Sequence, residues 1–536
     1  MNEAAPRHSR QESGEESSQE SRQQLRQQSR QARAAELGRQ LEREPDAFEA
    51  RYERAGLLRE LGAFEEAKRD YLELIRRRPD NFGVLNDFGT LVLNAGYGSA
   101  ARSLFEEAVR RHPDNPKGRV NLANLLLMME EYDLARTHFE AALRVDPGYI
   151  HAHRGLGNLL ADVGDAEGAR RHRDLGFRND FLAALPYRGT GAPVRVLLLI
   201  SAIGGNTPTA SLLDDSVFAT TVLVADYCNS KILLPPHDVV FNGIGDADIC
   251  GPSLAAADAI LARSSRPVIN DPRAVARSGR LANVERLRGI PNLIVPHMAK
   301  VPRRQLAGQG GAETVAAHGL RFPVLARAPG FHTGRHFVLV ETAEELAAAV
   351  ESFPGDEAWL IEQLDARDGE GFFRKARAMI VERNLYPLHL AISRDWKVHY
   401  YTADMAQSAD NRAKEAPFLQ DMISAVGARG MAALQRVAET LELDYGGIDF
   451  AVNAQGDILF FEANATMVMV PLAADKKWDY RRPAFDDVFA AVRAMLARRA
   501  QERTELSVIA SEAKQSSPAA KPGLLRRFAP HNDDAV

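Results

Sequence analysis

Oxygen-bearing side chains gather in one stretch of the chain, YGGIDFAVNAQGDILFFEANATM, Tyr445–Met467. GIDF and DILFFEAN read as two strands joined by an Asn-Ala-Gln-Gly turn, a pairing that sets Asp449 beside Glu462. Asn464 stands two residues further along the second strand and so faces the same side as Glu462. Three such groups converging suit magnesium, a hard ion that takes oxygen ligands and commonly bridges substrate phosphates. The same residues would also serve as an ordinary polar sheet face. A second stretch, FPVLARAPGFHTGRHFVLV, Phe322–Val340, reads as two apolar strands around a loop holding Gly330 and Gly334. A hairpin of this kind lets backbone amides close over phosphates, and glycine permits the approach.

Positioning those groups takes a sheet, and the sequence from Pro193 onward supplies one. VRVLLLIS is a continuous, apolar run rich in branched residues and followed by GGNTPT, the pattern of a buried strand ending in a glycine-rich loop. TTVLVAD, HDVVFNGIG and PVIND read as further strands, with SLAAADAILARS as a helix between them. That alternation predicts a parallel sheet with helices on its faces.

Upstream, the chain repeats itself. Pro79, Pro113 and Pro147 fall 34 residues apart, as do Ala67, Ala101, Ala135 and Ala169, with Tyr71, Phe105 and Phe139 four residues after the first three. Ala55, Gly89, Ala123 and Gly157 keep the same period, and Gly96 and Gly164 are two periods apart. Small residues sit where two helices approach, the aromatic fills the gap behind, and proline stops the second helix by clashing with the preceding turn. This resembles the tetratricopeptide repeat, a helix-turn-helix unit of that length. About four copies suffice to bury a continuous core. The resemblance implies a solenoid whose concave face takes a peptide or protein.

Between Arg195 and about Arg499, four blocks in order resemble the ATP-grasp superfamily, particularly its glutathione synthetase and D-alanine ligase branch. They are VINDPRAVARSGRLANVERLRGIPNLIVP (Val268–Pro296), the Phe322–Val340 hairpin, AWLIEQLDARDGEGFFRKARAMIVERNLYPLHLAIS, and Tyr445–Met467. The resemblance implies ATP and Mg2+. It implies that Arg280 reaches the nucleotide phosphates and that Arg327, where relatives carry lysine, does so beside Gly330 and Gly334. Arginine keeps the cation but is a planar fork, not a point charge. By the same resemblance Glu362, Gln363 and Leu364 border the adenine and Asp368 takes the ribose hydroxyls. Arg377 points at phosphate or an acyl intermediate, and Asp449, Glu462 and Asn464 hold the metal. HLAISRDWKVHYYTADMAQSADNRAKEAPF would face the other substrate, with His389, Lys397, His399, Tyr400, Asp410, Asn411 and Arg412 along it. Arg412 and Lys414 are its candidates for an incoming carboxylate or acyl phosphate.

The expected fold is therefore multidomain: an all-α tetratricopeptide solenoid followed by an α/β (α+β) ATP-grasp fold. The expected boundaries are a coreless polar segment over 1–45, disordered or loosely helical with Leu25–Leu41 able to form a solvated helix, the solenoid over 46–184, a leading α/β domain over 193–300, the nucleotide-binding part over 301–500, and a disordered tail over 501–536. The implied reaction phosphorylates an unknown carboxylate with ATP and passes the acyl group to an amine or thiol, with Arg327 and Arg377 as the catalytic cations. The rival expectation is a scaffold that has lost turnover, motivated by Arg327 in place of lysine and by a thin glycine loop. A phosphotransferase on the same fold is a third.

Composition fits these expectations. The 536 residues are 45% hydrophobic and 26% charged, an ordinary globular mixture. With 67 Lys plus Arg against 72 Asp plus Glu the formal charge is -5, which lacks the basic footprint of a nucleic-acid coat. Cys228 and Cys250 form no C-x-x-C pair, so neither a disulfide framework nor a cysteine zinc site is expected, and a reducing cytoplasm is. The polar start MNEAAPRHSRQESGEESSQESRQQ lacks the apolar core of a secretory signal, and no apolar run reaches the length of a membrane span.

Overall fold

A computed structural model describes residues 29–515, apart from 309, 332–333, 399, 401–402, 470–471 and 473–474. Eight helices follow in four pairs: Phe48–Glu60 with Phe64–Arg77, Phe82–Asn94 with Gly98–Arg111, Pro116–Met128 with Tyr132–Val145, and Ile150–Asp162 with Ala166–Phe177. Asn81, Asn115 and Asp165 cap the helices they precede by accepting an amide hydrogen, and Pro79, Pro113 and Pro147 fall just beyond helix ends. The turn inside each pair passes through a left-handed residue at the same 34-residue period, Gly62, Gly96, Glu130 and Gly164. Tyr71, Phe105 and Phe139 are buried in the seam between pairs. A Cβ on Gly89 would lie 2.5 Å from the Phe105 ring, which is why that position is small.

The expectation of a coreless segment over 1–45 is corrected from residue 29 onward. Residues 29–43 form a helix whose Ala34, Leu37 and Leu41 are buried, a stripe at helical spacing that packs on the first repeat. Arg33 braces it by pairing with Glu53 at 2.8 Å. Residues 1–28 lie outside the described residues. At the other end, the helix Arg482–Gln515 runs on past residue 501, and 516–536 again lie outside. Among the described residues no helix is long and apolar enough to cross a membrane.

The α/β region holds three sheets. The first runs Leu182–Ala184, Phe218–Val224, Val194–Ile200, Val239–Asn242, Val268–Ile269 across its width, all parallel except the first strand, which pairs antiparallel at the edge. Strand 194–200 has its two successors on opposite sides, so the loops leaving this point open a crevice at the carboxyl ends of the strands. The second sheet is antiparallel, Met298–Pro302, Glu357–Glu362, Val324–Arg327, Phe337–Val340, and packs on helices Gly310–Ala317 and Ala343–Glu351.

The third sheet runs Asn384–Ser393, Phe373–Val381, Tyr445–Val452, Ile458–Asn464, Leu293–Ile294. Alternation along its strands sends Ala378, Ile380, Ile448 and Phe450 to one face, where helix Met422–Leu441 covers them. Met379, Val381 and Tyr445 go to the other, under Phe485, Val488 and Val492 of the last helix. Buried side chains bolt the elements around the first sheet to the third: Asn270 donates to the Tyr445 carbonyl at 2.8 Å, Asn283 of helix Arg280–Leu287 to the Ala463 carbonyl at 2.9 Å, and the Thr207 hydroxyl to the Ala465 carbonyl at 2.7 Å.

Candidate functional site

The face of the third sheet that carries Met379 and Val381 turns charged further along its strands. Lys375 and Arg377 occupy the same side of strand 373–381, and Arg377 stands in register with His389 on one neighbour and Asp449 on the other. Asp449 in turn lies opposite Glu462. That last pairing depends on a bulge. The hairpin zips Val452 to Ile458, Ala451 to Leu459 and Phe450 to Phe460, a register that would bring Asp449 to Phe461. One extra residue shifts the register, and Glu462 arrives on the Asp449 side instead.

Asp449 is 1% exposed. Arg377 grips it with both arms of its fork, Nε to Oδ1 at 2.6 Å and Nη2 to Oδ2 at 2.9 Å, and the Lys375 ammonium stands 3.1 Å from Oδ2. Burial by itself would raise this carboxyl, but Arg377 and Lys375 outweigh it and hold it well below the usual carboxylate range. Glu462 is held by a different arginine, Arg280, through Nη1 to Oε2 at 2.6 Å. Burial again opposes and Arg280 wins, so this carboxyl too is held low.

Arg280 opens the helix Arg280–Leu287, and its backbone amide donates to Asp248 at 3.2 Å while its side chain stands 3.5 Å from the same carboxylate. Arg327, at the end of strand 324–327, donates to the Phe331 carbonyl and lies over the Phe337 ring at 5.4 Å. Burial, and next the charge of Arg280, lower its pKa to about 10, while Glu462, Asp246 and Asp248 pull the other way. Four cations, Arg280, Arg327, Lys375 and Arg377, thus face four carboxylates, Asp246, Asp248, Asp449 and Glu462. One side of this charge cluster, Asp246, Asp248, Arg280 and Glu462, lines a cleft with Asn464, Thr466 and Met298 that holds about 30 Å3, room for a water or two.

The remaining residues singled out in the sequence fall in other settings. The Asn464 side-chain oxygen accepts from the Thr466 amide at 3.0 Å and its hydroxyl at 2.9 Å, so it turns into its own loop. Gly330 and Gly334 both take positive φ, and the Lys397 side chain lies where a Cβ on Gly334 would go. Glu362 ties the strand end to His297, accepting its amide at 2.9 Å. Gln363 and Leu364 follow as half-buried, irregular backbone. The Asp368 carboxylate closes the turn that follows, accepting from the amides of Glu370 and Phe372 and from Arg374 at 2.7 Å. Arg412 donates to the carbonyls of Met405 and Ala406, and Lys414 to Glu370, so their partners are not cleft residues. Of the acceptor stretch, His389 packs on Tyr400 at 4.8 Å, Asn411 faces the Ile392 carbonyl, Asp410 pairs with Lys414, and His399 lies outside the described residues.

Asp246 and Asp248 line the cleft and Lys375 joins the charge cluster through Asp449, and none of the three was singled out in the sequence. Lys375 is two residues from Arg377 and so shares its face. Asp246 and Asp248 follow a parallel strand in NGIGDAD, at the carboxyl end where such sheets assemble sites.

The donor chemistry fits a hard cation at Asp449 and Glu462, which are ionised and oxygen-bearing. Asn464 lines the cleft but its side-chain oxygen is engaged by Thr466, and among the described residues no three Asp, Glu, His or Cys side chains gather as a metal site. The four cations suit a polyanion such as a nucleotide phosphate chain.

Comparison with known proteins places the first part of the chain. The tetratricopeptide repeat family matches residues 48–81, 86–150 and 120–172, so this part is a tetratricopeptide repeat region. Repeats of this kind form surfaces for proteins and peptides. No family match covers the α/β region, and no curated protein matches the chain. Similar solved structures include MamA, at 15% identity over 27% of this chain and 84% of that one, TM-score 0.25. YrrB, described as a TPR protein with an unusual peptide-binding site, matches at 22% over 27% and 74%, TM-score 0.24. PilF of Pseudomonas aeruginosa matches at 20% over 30% and 77%, TM-score 0.26.

Proposed function

We propose that the chain is an ATP- and magnesium-dependent ligase of ATP-grasp type, joining a carboxylate to an amine or thiol through an acyl phosphate, with the repeat region recruiting a peptide or protein. The observation that carries this reading is the cross-strand pair Asp449 and Glu462 set among Arg280, Arg327, Lys375 and Arg377. Asp449 and Glu462 would hold magnesium, which neutralises charge on a transferring phosphoryl group. Arg280 and Arg327 would bind phosphate oxygens, and Arg377 would turn from Asp449 to the acyl end. Such transfers rest on positioning and electrostatics, so no protein nucleophile is required.

The test is purified full-length protein with ATP and magnesium, following melting temperature and ADP release, with Glu462→Ala alongside. Stabilisation and ADP formation in the wild type and neither in the variant support the ligase; a wild type indifferent to nucleotide ends it. That second outcome would favour a binding scaffold, a reading motivated by the roughly 30 Å3 cleft and by carboxylates already neutralised by arginine.

A further inference from the structure

The loop between strands 324–327 and 337–340 touches the solenoid. Arg335 donates from Nη1 to the Tyr132 hydroxyl at 2.5 Å, and its Nη2 stands 3.4 Å from Asp162. Tyr132 opens the second helix of the third repeat, and Asp162 closes the first helix of the fourth. Both therefore lie at the turn edge of the solenoid, where Glu130 adds a third group 4.0 Å from the Arg335 guanidinium. The Arg335 side chain is 22% exposed and its guanidinium lies over the Tyr132 ring at 5.8 Å.

The other side of Arg335 leads to Arg327 by two short routes. Its guanidinium covers the Phe331 ring at 5.1 Å, and the carbonyl of that same Phe331 accepts from Arg327. Two residues along the chain, Phe337 supplies the ring over which the Arg327 guanidinium lies. The backbone between them is pinned by the Ala328 amide donating to the His336 carbonyl at 2.9 Å, with His336 itself in the left-handed region. Of the two groups that orient Arg327, Phe331 packs against Arg335 and Phe337 follows it by two residues, and the far side of that arginine is held by the repeats.

We propose that Arg335 is a positioning residue through which the repeat region sets the orientation of Arg327, so that the solenoid is a structural support of the charge cluster as well as a recruiting surface. The relation is reciprocal: whatever perturbs Tyr132 or Asp162 changes the affinity of the cleft for an anion, and an anion on Arg327 changes the solenoid edge by the same factor. The inference takes the cleft's anion to be the ATP of the proposed function, and its geometric half stands without it.

Two measurements on the full chain separate the two. The double variant Tyr132→Phe, Asp162→Asn removes the hydroxyl and the charge while keeping both shapes, so the fold survives. Hydrogen exchange without ligand should show the Ala328 and Phe337 amides exchanging about threefold faster or more than in the wild type. Calorimetry with MgATP should show binding weakened about fivefold or more. Unchanged exchange at Ala328 overturns the proposal, as does equal MgATP affinity in the two proteins. If the wild type binds no MgATP, the proposed function falls and the exchange result alone decides this inference. Arg335→Lys, which keeps a charge for Asp162 but loses the fork, should fall between the two.

Discussion

Asp449 and Glu462 face each other across adjacent strands, yet each carboxylate is held by a different arginine, Arg377 on one side and Arg280 on the other. The two acids share one site and the field of Lys375, but each has its own arginine.

Removing one of those charges should therefore cost stability as well as function. Asp449→Asn leaves Arg377 and Lys375, 16% and 19% exposed, without their carboxylate, a loss of about 3–5 kcal/mol. The urea midpoint should fall accordingly, and adding Arg377→Met should recover part of it. A single variant as stable as the wild type would mean that the pair is solvated after all.

Acid should act on the same pairs. Both carboxyls are lowered on folding, so their contribution is complete above the unfolded carboxyl range of about 4 and is lost as the pH falls toward their folded values. Denaturant midpoints should show no loss from this source between pH 7 and 5 and a steep one below about 4. Glu462→Gln should make that acid limb shallower.

A milder pH dependence belongs to the fourth repeat. His153 Nε2 lies 2.9 Å from the Pro147 carbonyl, so that nitrogen carries the proton and Nδ1 accepts from Nδ1 of His172, also at 2.9 Å. Burial, and then His153, lower the His172 pKa. Neutral His172 thus contributes stability above its unfolded pKa of about 6.5, lost as the pH falls through the lower folded value. Melting of the repeats at pH 7.5 and 5.5 should show a drop that His172→Gln removes.

Packing in the repeats gives a prediction of opposite signs at two glycines. Gly89→Ala forces a methyl onto the Phe105 ring and should destabilise by about 1–3 kcal/mol. Gly56, inside helix 48–60 with nothing within 4 Å of its Cβ position, should gain about 0.5–1 kcal/mol as alanine. Thermal melts of the two variants check both.

The repeats were legible because a 34-residue period is written in local chemistry: Pro79, Pro113 and Pro147 at helix ends, and Tyr71, Phe105 and Phe139 in the seams. The parallel strands were legible for the same reason, since continuous apolar runs end in glycine loops. The Asp449 and Glu462 pairing could be anticipated from the hairpin, but its cause could not. A bulge at Phe461 depends on what packs on each face, and no turn residue announces it. The ion pairs were hidden too. Whether Arg377 meets phosphate, solvent or Asp449 depends on the neighbouring strand, and Arg335 gains its meaning only from a solenoid two hundred residues earlier in the chain. Asp368 and Asn464 show the reverse: residues with the right oxygens were claimed by their own turns, the local competition for which Asp and Asn are suited.

On the proposed function, the balance of four cations and four carboxylates would make this charge cluster an ion exchanger. A lone divalent cation would have to evict Arg377 or Arg280 and leave a guanidinium stranded; a lone polyanion would strand a carboxylate. Arriving together, each incoming ion takes the partner that the other releases, and the count of paired charges is preserved. Uptake on that reading should therefore be strongly synergistic, with either ion bound weakly by itself.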